Sequence, residues 1–272
     1  MNWLAGQIIL SYGWRRGFLL LGAGLLAGTS VPPFFVLPAL FIAFPVWVWA
    51  LDGAETTSGW RRLFGPAFRI GFCFALGYFL IAFHWLGAAF FVDGGLMLAV
   101  MPVAILLLSA VMALFWGLAS AAAHLVWSNS GLRILALATT LSVAEFARGH
   151  VLTGLPFDLV GYALTANVQM MQAASLVGVY GLTFLAPLVA MTPALIWPAD
   201  DQPLTTRLAP FFAALLLIAA QVGYGQYRLQ SVAVQTRTDV RLRLVQPNID
   251  QALKWQADSR EFTVDRLISL SQ

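Results

Sequence analysis

The sequence predicts an α-helical polytopic membrane bundle of about seven spans, followed by the opening strand and helix of a water-exposed domain. Three observations carry that fold class. Of 272 residues, 60% are hydrophobic and 10% charged, against roughly 45–50% and about 25% in an ordinary soluble domain. The charges are segregated: residues 1–226 hold 15 of the 27 charged side chains, and the 46 residues from Tyr227 onward hold the other 12. Long apolar runs recur through the first part and stop where the charges begin. A boundary is therefore expected near Tyr227, between a transmembrane unit (1–226) and the start of an exposed one (227–272).

A membrane helix needs about 20 mostly apolar residues. The candidate spans are Gly17–Gly28, Pro33–Leu51, Ile70–Val92, Leu96–Trp127, Leu132–Ala147, Ser175–Trp197 and Leu208–Gln226. The first is short and open to two readings. Arg15 and Arg16 precede a brief apolar core with small residues after it, as in a cleaved signal peptide. The following Pro32-Pro33 and the immediate second span favour a tight helical hairpin.

Orientation follows from the excess of Lys and Arg in cytoplasmic loops. With the N-terminus inside, inner segments carry Arg15, Arg16, Arg61, Arg62, Arg69, Arg133 and Arg207, and the short outer loops carry only Arg148. The tail from Tyr227 is then delivered to the outer side. Trp14, Trp47, Trp49, Trp60, Trp127 and Trp197 lie near span ends, where interfacial tryptophans are enriched. The net charge of +3 comes largely from arginines between apolar runs, so nucleic acid is not an expected partner. No repeat stands out.

Inside the membrane unit, "EFARGHVLTGLPFDLVGY" (Glu145 to Tyr162) is too long and too polar for a simple turn, and loops of that kind are usually functional. Glu145 and Arg148 are three apart and share a helix face. An ionisable residue at that depth is costly unless paired or facing a polar cavity. Two readings stand: a salt bridge that locks the helix end, or a site where Arg148 meets a lipid phosphate. His84 and Trp85 form a second polar point, with hydrogen-bonded packing the expected role of the histidine. Cys73, the sole cysteine, sits among Phe, Gly and Ile with no base nearby, which makes an inert thiol.

In the tail, Val240 to Val245 alternates with the period of a half-buried strand, and Gln246-Pro247-Asn248 breaks it. Asp258-x-x-Glu261 has the spacing of a capping box, with Val264, Leu267 and Ile268 at helical spacing behind it. One strand and one helix of this length cannot bury a core, so the tail is expected to be the start of a truncated domain.

At these residues the chain resembles the bacterial apolipoprotein N-acyltransferases. The resemblance covers nearly the whole chain and is carried by "IGFCFALGYFLIAFHWLG" (Ile70 to Gly87), by the Glu145–Tyr162 stretch and by "LVQPNIDQALKW" (Leu244 to Trp255). Leu155, Phe157 and His150 depart from the family's usual aromatic pattern by apolar or near-isosteric exchanges. The resemblance implies membrane helices followed by a nitrilase-like αββα domain on the periplasmic side of the inner membrane. It also implies a Glu-Lys-Cys triad, with the glutamate roughly forty residues past the Val-Gln strand on strand–helix–strand logic. That lies beyond Gln272, and the chain's Lys254 and Cys73 match no triad position. No catalytic residue is therefore expected here, and this stretch alone is expected to be inactive.

The implied chemistry is movement of an acyl chain from a phospholipid donor to the N-terminal diacylglyceryl-cysteine of a lipoprotein acceptor, through an acyl thioester and without cofactor or metal. By the same resemblance Gln246 and Asn248 orient the strand-end loop, Glu145, Arg148 and Tyr162 are candidates for the lipid-facing site, and Trp255 has two readings: a place at the mouth of the active site, or packing of the tail onto the membrane unit. The competing expectation is a non-catalytic membrane remnant or lipid-binding protein. A transporter lacks support, because no inverted pair of broken helices is visible.

Overall fold

The computed structural model describes all residues except 1, 56–63, 94, 199–201, 232–238, 251–252 and 254–258. The described residues form helices joined by turns, in the order α1 (Asn2–Ile9), α2 (Gly13–Gly28), α3 (Pro38–Asp52), α4 (Pro66–Ala82), α5 (Leu96–Leu125), α6 (Leu132–Arg148), α7 (Ala174–Ala190), α8 (Leu204–Ser231) and α9 (Ser259–Ser271). Proline opens α3 and α4, where its missing N–H costs nothing.

Among the described residues, three helical stretches are long and apolar enough to cross a bilayer: Leu96–Leu125, Ala174–Leu195 and Leu204–Ser231. The outer face of α5 leaves Val103, Leu106, Leu107, Val111 and Leu114 exposed, an arrangement suited to hydrocarbon rather than water. The other expected spans are shorter. Helices α2, α3, α4 and α6 have 16, 15, 17 and 17 residues, below the usual spanning length. The expected Ile70–Val92 span breaks at Phe83, and the chain continues as a 3-10 turn, His84–Ala89. There the His84 ring Nδ1 takes the Ile81 carbonyl at 2.8 Å, an imidazole capping a helix end.

Close packing comes from glycine. A Cβ on Gly24 of α2 would sit 1.9 Å from the Phe74 carbonyl oxygen of α4, and one on Gly77 of α4 would sit 2.2 Å from the Leu21 carbonyl oxygen. The two backbones thus touch at reciprocal small residues, which suits membrane helices lacking a hydrophobic drive to associate. Around that seam lies an aromatic core. Trp47 stacks on Phe74 at 4.5 Å and on Trp116 at 5.4 Å, and Tyr78 lies 4.7 Å from Trp116.

The tail differs from expectation. Val240–Val245 forms no strand, and Leu242 and Leu244 are 85% and 97% exposed. A strand is satisfied only by a neighbour that exchanges backbone hydrogen bonds, and no described segment pairs with it. The expected helix is present as α9, but it buries no residue. The capping position Asp258 lies outside the described residues. Helix α8 runs without a break past Tyr227 to Ser231.

Candidate functional site

At the end of α6, buried polar side chains tie the following loop to the bundle. Glu145 and Arg148 are both fully buried at the side chain and meet in a two-pronged pair: Arg148 Nε donates to Glu145 Oε1 at 2.9 Å and Nη2 to Oε2 at 2.8 Å. Glu145 Oε1 also accepts from Trp116 Nε1 at 2.7 Å. The remaining Arg148 donors turn outward to the loop: Nη1 reaches the Leu155 carbonyl at 2.6 Å and Nη2 the Phe157 carbonyl at 3.0 Å. The guanidinium carbon lies 5.1 Å over the Phe79 ring, a cation–π contact strengthened by the dry surroundings.

Two further donors hold the loop. Tyr78 Oη donates to the Asp158 carbonyl at 2.9 Å, and Trp85 Nε1 donates to Asp158 Oδ2 at 3.0 Å. Within the loop, Leu155 N–H closes back onto the Arg148 carbonyl at 3.0 Å. The turn between them has left-handed backbone at Leu152 (φ 59°) and Gly154 (φ 71°), and so has Asp158 (φ 52°) three residues beyond it. Non-glycine residues adopt that conformation at a cost and only where neighbours enforce it. Burial pushes the Asp158 carboxyl above the usual carboxylate range, opposed by the Trp85 N–H and the Arg148 charge.

The second half of the loop is held by α8. Gln221 Nε2 donates to the Leu164 and Met170 carbonyls at 2.7 and 2.9 Å, and Arg228 Nη1 donates to Gln172 Oε1 at 2.5 Å. Beside the exposed His150 and Thr153, most of what the clamped loop and its neighbour Trp85 present outward is apolar. Leu152 at its tip is 99% exposed, and Trp85, Phe157 and Val151 are each exposed to about the extent of an interfacial anchor, at 42%, 50% and 51%. Trp85 and Phe157 meet edge to face at 5.8 Å. The chemistry of this arrangement is positional: an apolar rim suited to acyl chains, held by an ionic network that water does not reach.

The sequence candidates fall in three places. Glu145 and Arg148 come together under the loop, and Tyr162 lies half-buried in the 3-10 turn Val160–Thr165 that follows it. Gln246 and Asn248 are exposed in the tail, Asn248 with a left-handed φ of 48°. Trp255 lies outside the described residues. Cys73 lies midway along α4, opposite Gly17 of α2. Sequence reasoning missed Trp116, Tyr78 and Asp158. An aspartate inside an otherwise apolar Pro-Phe-Asp-Leu-Val run was the available signal for the last.

Residues 23–192 match the family model described as the apolipoprotein N-acyltransferase N-terminal domain. Among curated relatives, the apolipoprotein N-acyltransferase of Sinorhizobium fredii is 43% identical over 267 residues, spanning 97% of this chain and 49% of the relative. That of Rhodopseudomonas palustris is 37% identical over 268 residues, with 98% and 49% covered. That of Brucella suis is 37% identical over 273 residues, with 99% and 50% covered. The chain spans about half the length of the curated relatives it matches.

Proposed function

The chain belongs to the apolipoprotein N-acyltransferase family, and from that premise we propose that it forms the membrane half of a phospholipid-dependent acyltransferase. The reaction is acyl transfer from a membrane phospholipid to the α-amino group of a lipoprotein's N-terminal diacylglyceryl-cysteine, by way of an acyl thioester. The thiolate and its partners belong to the half of the relatives' length that this chain does not cover. Within this chain the residues bind and position. The observation that carries the reading is the loop after α6: an apolar rim of Trp85, Val151, Leu152 and Phe157 held in one conformation by buried Arg148 and Tyr78. A donor and an acceptor that are both lipids need a fixed apolar edge at the bilayer surface more than a deep pocket, because neither then leaves the membrane.

The protein lies in the bacterial inner membrane with its N-terminus cytoplasmic and the region from Tyr227 periplasmic, as the arginine asymmetry favours. The short helices α2, α3, α4 and α6 complete a set of about seven spans. Val240–Val245 pairs into the sheet of a nitrilase-like domain once its neighbours are present, and Gln246 and Asn248 then shape the turn beside Trp255 at the mouth of the site. Tyr162 lines the lipid-facing side, and Glu145 with Arg148 acts through the loop it holds.

A chimera tests this. Residues 1–272 replace the aligned half of the Rhodopseudomonas palustris relative, and acyl transfer to a diacylglyceryl peptide is measured in phospholipid vesicles. The expected result is transfer by the chimera and none by the 272-residue chain alone. A chimera that inserts and is stable but transfers nothing would contradict the proposal and leave the reading of a non-catalytic, lipid-binding membrane protein.

A further inference from the structure

At the end of the bundle opposite Asp158, between the N-terminal ends of α2 and α4, lies a half-open cavity of about 490 Å³. Ordinary ligand pockets run to roughly 300–1,000 Å³, mostly apolar with a few charged groups, and this one has that make-up. Leu20, Phe68, Phe72 and Cys73 line it. Gly17 leaves it open, since an added Cβ there would meet only the Cys73 sulfur, at 3.9 Å.

Two guanidiniums stand at the cavity. Arg16 is fixed in place by carbonyls, with Nε donating to Ser11 at 2.5 Å and Nη2 to Gly53 at 3.1 Å. Arg69 is exposed, and among the described residues its guanidinium has no hydrogen bond or ion pair. Glu55 is the one carboxylate among the described lining residues, and it faces Arg16 electrostatically. The rim therefore carries an excess of positive charge with one donor fork uncommitted.

An apolar cavity is a poor home for water, and an uncommitted guanidinium beside it is a ready partner for a phosphate. Basic pockets between membrane helices take anionic lipid headgroups on these grounds. We propose that this cavity is a binding site for an anionic phospholipid, its phosphate on Arg69 and Arg16 and one acyl chain against Phe72, Cys73 and Gly17. The inference stands apart from acyl transfer, because the cavity lies at the far end of α4 from the clamped loop.

The sole cysteine makes the test direct: the sequence suggests an inert thiol, but in the structure Cys73 is only partly buried and lines the half-open cavity, so a reagent can reach it when the cavity is empty. Maleimide labelling of Cys73 is followed in the full chain reconstituted in vesicles of pure phosphatidylcholine, or with phosphatidylglycerol added. Occupancy slows labelling by the factor 1 + [L]/Kd, so a drop of roughly tenfold is expected once the lipid reaches about ten times its Kd. Arg69→Gln should label at the parent rate in phosphatidylcholine and lose most of the protection, which separates site binding from the general effect of a negative surface. Inorganic phosphate in phosphatidylcholine vesicles should give no protection. Equal parent rates in the two vesicle types would overturn the proposal. So would full protection retained by Arg69→Gln, or protection by phosphate alone, which would assign an ion site in place of a lipid site.

Discussion

Helix α6 carries an arginine at each end, and the two are used differently. At its start Arg133 lies 3.4 Å from Asp52, with side chains 11% and 18% exposed, and Nη1 reaches the Asn129 and Ser130 carbonyls at 2.8 and 3.1 Å. At its end Arg148 meets Glu145 at 2.8 Å with nothing exposed and adds two loop carbonyls. Each arginine gathers carbonyls of an adjoining loop, and each carboxylate is completed by an indole, Trp127 on Asp52 and Trp116 on Glu145. The difference is water. Solvent reaches part of the Arg133 end and can soften the loss of a partner, whereas at Arg148 a lost partner leaves a bare charge in a dry core. The first end holds the bundle together, and the second holds the loop on which function is proposed to depend.

That contrast can be broken in order of expected effect. Arg148→Ala leaves Glu145 buried without its countercharge, and removing one member of such a pair costs about 3–5 kcal/mol. We expect the largest loss of thermal stability there, with fast amide exchange at Gly154 and Leu155, whose N–H groups bond to Val151 and Arg148. Arg133→Ala removes a weaker, partly wet pair and its carbonyl contacts, for a loss of about 2 kcal/mol and unchanged exchange in the loop. Equal losses in the two variants would erase the distinction between the two ends.

The smallest effect belongs to Asp158 and has a sign that pH reveals. Its folded-state pKa is raised by burial. A carboxyl of that kind contributes stability that is fully present below its unfolded value, about 3.9, and is lost as pH rises through the folded value. Asp158→Asn keeps an acceptor for Trp85 without the charge. The variant should match the parent at about pH 4 and unfold slightly later than it at neutral pH. A variant less stable than the parent at neutral pH would show that the Arg148 charge outweighs burial at this carboxylate.

Much of the bundle was legible because periodicity and hydropathy are local. The pairing of Glu145 with Arg148 was legible for the same reason, since a spacing of three on a helix nearly dictates it. Trp116 and Tyr78 were not, because they reach Glu145 and the Asp158 carbonyl from 29 and 80 residues away. Span lengths were overestimated where a side chain ends a helix inside an apolar run, as His84 does at Phe83. The Val240–Val245 pattern shows how period-two alternation is read: it describes which face a strand would bury, and pairing is decided by a neighbour elsewhere.

The most direct measurement is a double-mutant cycle on Glu145→Gln and Arg148→Gln, read as unfolding free energies of the full chain in one detergent. Groups that share a buried network couple by about 0.5–3 kcal/mol. We predict a coupling at the upper end of that range, with the double variant more stable than the sum of the single losses. Additive losses would mean that the two charges do not sense each other, and the buried pair would then not be what holds the loop.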